Sequence, residues 1–323
     1  MSTDSFPIRK VDHIRHYVNN ARQTAFFYQH TFGFSITGYS GLETGSRDEA
    51  SYVLKQNELT LCFTAPIRPG HPMAPLIAEH GDFVQDIAFE VDDVDWAYRA
   101  ATERGAIGAV EPRTLQDDHG KVRHAAIRTY GNVVHSLINR DAYKGPFLPG
   151  FRAENQPGDG IGIIEVDHCV GNVELGKMNV WVKWYEEVLG FANLISFDDK
   201  DISTEYTALM SKVMASGNGR VKFPINEPAE GKKKSQIDEY LEFFGGAGVQ
   251  HVAMRTDDIV YTVSRLRARG VDFLSVPRTY YDMLPDRVGK IDEDIDVLAD
   301  LGILVDRDDE GYLLQIFTKP ITD

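Results

Sequence analysis

Two histidines carry the strongest chemical signal in the chain. His168 lies in Val166-Asp167-His168-Cys169-Val170, and His251 lies in the similar segment Val249-Gln250-His251-Val252-Ala253. Two imidazoles and one carboxylate on one face of an octahedron, with the opposite face open, form the donor set of non-haem Fe(II) oxygenases. A single histidine at a strand start is more often a hydrogen-bonded core residue. Two at matching places in a repeat point to a shared ion. Other chemistries have less support. Ser211 has no recognisable base nearby in sequence, and no Gly-x-Ser-x-Gly elbow is present. Cys62 and Cys169, the two cysteines of the chain, have neither metal-type spacing nor a disulfide framework, so both read as small buried apolar residues.

The elements that must hold these histidines are repeated along the chain. Val11-Asp12-His13 matches Val166-Asp167-His168, and each is followed by an aromatic-rich helical stretch ending at Gly33-Phe34 or Gly190-Phe191. Val84-Gln85-Asp86-Ile87-Ala88-Phe89 matches Val249-Gln250-His251-Val252-Ala253-Met254, and each runs through Asp-Asp into a helix ending at Arg104-Gly105 or Arg269-Gly270. The offsets are nearly constant, as a duplication with small insertions gives. Ile87, Phe89 and Val91 alternate as in a half-buried strand. Asp92 and Asp93 can cap the next helix, and Gly105 supplies the left-handed residue that stops it. Asn20 and Gly33 bracket the first helix in the same way. The polar, Gly- and Pro-containing stretch 153–160 reads as a linker. The organisation expected is an N-terminal domain over 1–152 and a C-terminal domain over 161–323, each of two strand–helix–strands units. A pseudo-symmetric sheet then brings His168 and His251 together. The first half keeps His13 but has Asp86 at the place of His251, and His16, His119, His124 and His135 form no convincing ligand set. That half is expected to be non-catalytic.

Composition sets the outer bounds. The chain has 323 residues, 42% hydrophobic and 26% charged, which suits two globular domains. Its formal net charge of −15 argues against sequence-independent nucleic-acid binding and against adsorption to an anionic membrane. No apolar run is long enough to span a bilayer. Met1–Lys10 lacks the cationic start and apolar core of a signal peptide, and two cysteines without a disulfide framework fit a reducing cytoplasm.

The second half closely resembles 4-hydroxyphenylpyruvate dioxygenases of the vicinal oxygen chelate superfamily. The resemblance is carried by Val166–Val173, Pro224-Ile225-Asn226-Glu227-Pro228, Lys234-Ser235-Gln236-Ile237, Gly246–His251, Tyr280-Tyr281, Leu301–Asp306 and Leu313–Pro320. The first half matches more loosely, through Tyr39-Ser40-Gly41 and Gly145–Phe151. The fold implied is α+β: two vicinal-oxygen-chelate domains, each of two βαβββ modules forming an open barrel. The resemblance further implies that His168 and His251 bind Fe(II). Ser211, Asn226, Gln236, Gln250 and Gln315 match positions of the polar substrate pocket, and Phe317 an aromatic wall. The reaction implied takes 4-hydroxyphenylpyruvate and O2 to homogentisate and CO2 in tyrosine catabolism, in a cytoplasmic homo-oligomer with no nucleic-acid or membrane partner. The family's third ligand is a glutamate shortly after the Gln-Ile-Phe-Thr-Lys-Pro segment, followed by a helix that closes the pocket. The present sequence stops at Asp323, before both, so a truncated sequence is expected. Two alternatives stay open here. One is hydroxymandelate synthase, which has an apolar residue where Asn226 stands. The other is a catalytically silent binding protein on the same fold.

Overall fold

The computed structural model describes residues 6–197, 209–229, 234–307 and 311–321. The first half holds two βαβββ modules. One is β1 (Ile8–Tyr17), α1 (Ala21–Phe32), β2 (Ser35–Ser40), β3 (Glu49–Gln56) and β4 (Leu59–Pro66). After the short helix α2 (Met73–His80) comes the other: β5 (Phe83–Val91), α3 (Val94–Glu103), β6 (Gly108–Asp117), β7 (Gly120–Arg128) and β8 (Val134–Asn139). A further strand, β9 (Arg152–Gln156), comes next. These strands form one sheet in the order β6-β7-β8-β5-β1-β4-β3-β2-β9. The leading strands β1 and β5 pair antiparallel at its centre, and each pairs in parallel with the last strand of its own module, β4 or β8.

The second half repeats this plan. β10 (Ile163–Asn172), α4 (Met178–Leu189), β11 (Ala192–Phe197), β12 (Leu209–Ala215) and β13 (Lys222–Pro228) make the third module. Helix α5 (Gln236–Phe244) leads into β14 (Gly248–Thr256) and α6 (Ile259–Ala268). Three short helices come after, α7 (Arg278–Asp282), α8 (Leu284–Val288) and α9 (Ile295–Leu301), and then the hairpin β15 (Leu304–Arg307) and β16 (Tyr312–Gln315). The sheet order is β11-β12-β13-β10-β14, again with the leading strands β10 and β14 antiparallel. Among the described residues β14 has a neighbour on one edge, whereas its counterpart β5 has β1 and β8 on either side.

Local chemistry explains the ends of these elements. Asn20 accepts from Gln23 N at the start of α1, Asp93 from Trp96 N at α3, and Asp258 from Tyr261 N at α6. Each side chain satisfies a backbone donor that the helix itself leaves free. Asp92, the other expected cap, accepts instead from Arg9 Nε at 2.6 Å. Gly33 ends α1 at φ 73°, and a Cβ there would lie 2.9 Å from Gly160 N, so only glycine permits this approach of the two segments.

The stretch read from sequence as a linker is partly sheet. β9 pairs antiparallel with β2, in the register Tyr39 to Arg152 and Ile36 to Gln156. The chain beyond β9 is also tied down, because Gln56 donates to Phe32 O at 2.8 Å and accepts from Ile161 N at 2.9 Å. Among the described residues no helix is long and apolar enough to cross a membrane.

The halves share a core. Phe89 and His135 from the first half pack against Tyr185 and Phe223 from the second. His135 is fully buried; its Nδ1–H donates to Ile87 O at 2.9 Å, and Nε2 accepts from the Tyr185 hydroxyl at 2.8 Å. Burial pushes its pKa down from 6.5 to about 4. The folded protein therefore binds this proton less readily than the unfolded chain. Stability is complete above about pH 6.5 and falls as pH drops toward 4. The size expected from His135 alone is about 3 kcal/mol. Denaturant midpoints measured across this window should fall with pH, and His135→Asn, which keeps the donor to Ile87 O without a titrating group, should reduce the slope, leaving the part due to His16, His124 and His251. An unchanged slope would show that His135 is not held neutral.

Candidate metal centre

The two histidines meet because of strand register. On the β10–β14 pair His168 stands opposite Ala253, and Val170 opposite His251. The imidazoles are thus diagonal neighbours on one face of the sheet, a separation long side chains bridge. Their ring centroids lie 5.6 Å apart, with planes at 72°.

A β-bulge precedes each ring. Between Val166 and His168 the pairing advances two residues on β10 for one on β14, so Asp167 is the extra residue. Between Val170 and Gly171 it advances two on β14, from His251 to Val249, so Gln250 is extra there. A bulge bends the strand and re-aims its side chain. Both extra residues turn onto the following imidazole: Asp167 Oδ2 is 2.7 Å from His168 Nδ1, and Gln250 Oε1 is 2.7 Å from His251 Nδ1. A carboxylate and an amide oxygen only accept, so each Nδ1 carries a proton and Nε2 is the nitrogen of each ring left to ligate. Neither Nε2 has a hydrogen-bond partner among the described residues.

The charges around the two rings differ. Asp167 also accepts from Lys222 Nζ at 3.1 Å, and the hydrogen bond from His168, with Lys222 beside it, holds its pKa down at about 2. His251 has a neutral amide behind it. Burial, together with the nearby His168, pushes its pKa down to about 4, so it is uncharged at neutral pH and ready to ligate. Two imidazoles, each fixed by an acceptor on Nδ1 and with Nε2 left unbonded, have the donor chemistry of a metal-binding histidine pair. The residues present fit two of the donors of a divalent metal ion. No cluster of three His, Cys, Asp or Glu side chains able to hold a metal occurs among the described residues.

The first half shows the same frame with different contents. Asp12 is the extra residue of a bulge before His13 and lies 2.7 Å from its Nδ1. Asp86, at the place of His251, accepts from Ser136 N at 2.9 Å and from Ser136 Oγ at 2.6 Å. Its carboxylate is occupied by protein donors.

The remaining residues singled out from sequence fall in different places. Phe317 reaches the centre, its ring 5.4 Å from that of His251 and edge-on to it. Asn226 on β13 pairs with Asn172 on β10 and with Ser211 on β12, giving a polar row on the face that His168 shares with Asn172 by strand alternation. Asn226 Nδ2 donates to Asn172 Oδ1 at 3.3 Å, while Asn172 Nδ2 is buried without a protein partner among the described residues. Gln315 ends β16, half-buried and opposite Leu304. Gln236 is the first residue of α5 and is exposed. Gln250 holds His251, as described. Sequence reasoning did not single out Asp167, Lys222 or Asn172. The available signal for Asp167 was the recurrence of Asp-His in Asp12-His13 and Asp167-His168.

Known proteins share this sequence family and this fold. The profile of the Glyoxalase/Bleomycin resistance protein/Dioxygenase superfamily matches twice, over residues 10–142 and 165–316. A 4-hydroxyphenylpyruvate dioxygenase of Yarrowia lipolytica is 47% identical over 337 residues, covering all of this chain and 85% of its own length. One from Dictyostelium discoideum is 46% identical, covering 97% of this chain and 88% of its own. Among solved structures, a triple mutant of 4-hydroxymandelate synthase from Streptomyces coelicolor superposes with a TM-score of 0.87 at 29% identity, covering 98% of this chain and 90% of that one. The duplicated α+β modules, the histidine pair at their centre and identities near one half over the whole chain lead to one conclusion: the chain belongs to the 4-hydroxyphenylpyruvate dioxygenase family of the glyoxalase/dioxygenase superfamily.

Proposed function

We propose that the chain converts 4-hydroxyphenylpyruvate and O2 to homogentisate and CO2 at an Fe(II) ion held by His168 and His251, in tyrosine catabolism. The observation that carries this reading is the pair of imidazoles on one sheet face whose Nδ1 atoms are both engaged and whose Nε2 atoms are both free. In this reading residues 161–323 are the catalytic domain and 1–152 a non-catalytic one. The third donor in this reading is a carboxylate brought to the edge of β14 that has no neighbour among the described residues. In the first half β8 pairs with β5 and sets Ser136 against Asp86; a strand on the free edge of β14 would reach His251 in the same way.

Bound Fe(II) supplies dioxygen activation coupled to decarboxylation of the substrate's keto acid. The chain's own part is orientation. Asp167 and Gln250 fix the two imidazoles. Ser211, Asn226, Gln236 and Gln315 offer uncharged donors and acceptors to the phenol and keto-acid ends, so no extra charge competes at the ion. Asn172 Nδ2, a buried donor without a protein partner, is suited to the same role. Phe317 closes one side of the centre with an apolar edge that excludes water. The same reading gives a cytoplasmic homo-oligomer.

Product analysis tests the proposal. The Fe(II)-loaded protein should consume O2 with 4-hydroxyphenylpyruvate and release homogentisate. Release of 4-hydroxymandelate would instead assign it the synthase chemistry, and no O2 uptake would support a silent binding protein.

A further inference from the structure

One contact between the halves lies at the end of α5, the helix that leads into β14, and it is made by an imidazole. His80, the last residue of α2, is buried against the end of α5. Its Nδ1 lies 2.6 Å from Phe244 O, and its ring stacks on that of Phe244 at 4.3 Å with planes at 12°. A carbonyl only accepts, so Nδ1 carries the proton and caps a terminal carbonyl that α5 cannot satisfy itself. Nε2 accepts from Asn132 Nδ2 at 2.7 Å, which fixes the tautomer and the ring plane.

This contact reaches β14. A Cβ on Gly248, the first residue of β14, would lie 2.4 Å from the Phe244 ring, so that ring sits directly on the strand start. The β7–β8 turn that carries Asn132 presses on the same place. A Cβ on Gly131 would lie 2.0 Å from Ala247 O, and one on Gly171 of β10 would lie 2.5 Å from the Tyr130 ring. His251 follows Gly248 by three residues, and Gly171 follows His168 by three. The first half thus holds the ends of both ligand-bearing strands.

We propose that His80 is a positioning residue for the metal centre, acting through Phe244 and Gly248 on the β14 strand that carries His251. The proposal rests on the reading of His168 and His251 as ligands. It gives the non-catalytic half a defined role, which is to set the start of β14 and thereby the angle at which His251 meets the ion.

Two replacements separate this from a general packing role. In His80→Asn the side-chain amide can stand where Nδ1–H stood and donate to Phe244 O. In His80→Gln the longer side chain puts its amide at the Nε2 end, and the bond to Phe244 O is lost. Hydrogen exchange of the metal-free full chain should show amides of residues 248–251 exchanging about 10-fold faster in His80→Gln, with β2 and β3 unchanged and His80→Asn close to wild type. Titration with Co(II), read by its visible absorption, should show about 10-fold weaker binding in His80→Gln and recovery in His80→Asn, the size of an outer-shell loss. Unchanged exchange and unchanged Co(II) affinity in His80→Gln would overturn the clamp. Failure of the wild-type chain to bind Co(II) through imidazole would overturn the ligand reading beneath it, a result distinct from the first.

Discussion

Replacing His251 with alanine is expected to abolish O2 uptake with 4-hydroxyphenylpyruvate while leaving the fold intact. His251 is half-buried on the same sheet face as His168, and β14 is held by its pairing with β10 whatever side chain stands at position 251. The replacement removes one of the two imidazoles proposed to hold the ion. Its effect on Fe(II) affinity should therefore exceed the ~10–100-fold that loss of an outer-shell partner costs. The stability cost of removing a partly exposed ring whose Nε2 makes no bond is smaller, about 1 kcal/mol. Anaerobic Fe(II) titration, O2 uptake and a denaturant curve on the same preparation separate these effects. Full turnover in His251→Ala would remove the residue from the centre.

Asp167 should matter almost as much, although it touches no substrate. Its carboxylate holds the Nδ1 proton of His168 and is itself held by Lys222. The charge raises the basicity of the imidazole, and the hydrogen bond fixes its tautomer and plane. Asp167→Asn keeps an acceptor oxygen but loses the charge and the Lys222 pair; Asp167→Ala loses everything. Fe(II) affinity should fall by about 10-fold in the first and about 100-fold in the second. The matched change at the other ring, Gln250→Leu, removes a neutral acceptor and should cost less than Asp167→Ala. Competition titration against a chelator reads all three. Wild-type affinity in Asp167→Ala would mean that the bulge contact plays no part in ligation.

The frame of the site was legible in the sequence because the fold is duplicated. Matching Val-Asp-His and Val-Gln-His segments marked β10 and β14 as equivalent strands, and equivalence was enough to predict that their histidines would meet. The helix ends were legible as well, since Asn20, Asp93 and Gly33 act through local backbone geometry.

The features that were not legible depend on partners far away in the chain. A bulge is defined by the strand opposite, so the type of Gln250 did not announce that its side chain would turn back onto the next ring, and for Asp167 the signal was the recurrence of Asp-His alone. Gln250, placed from sequence in the substrate pocket, bonds His251 for that reason. β9 was read as linker because Arg152–Gln156 is an edge strand largely exposed on both faces and carries no apolar alternation. The Lys222–Asp167 pair and the His80–Phe244 contact join residues 55 and 164 positions apart, and no local pattern encodes either.

The central claim is that one ion sits between His168 and His251. Crystals of the Fe(II)-loaded protein, with anomalous data collected at the iron edge, test it directly. A single strong peak is predicted about 2 Å from Nε2 of both rings, with both Nδ1 atoms still bonded to Asp167 and Gln250. A peak elsewhere, or one that engages a single imidazole, would contradict it.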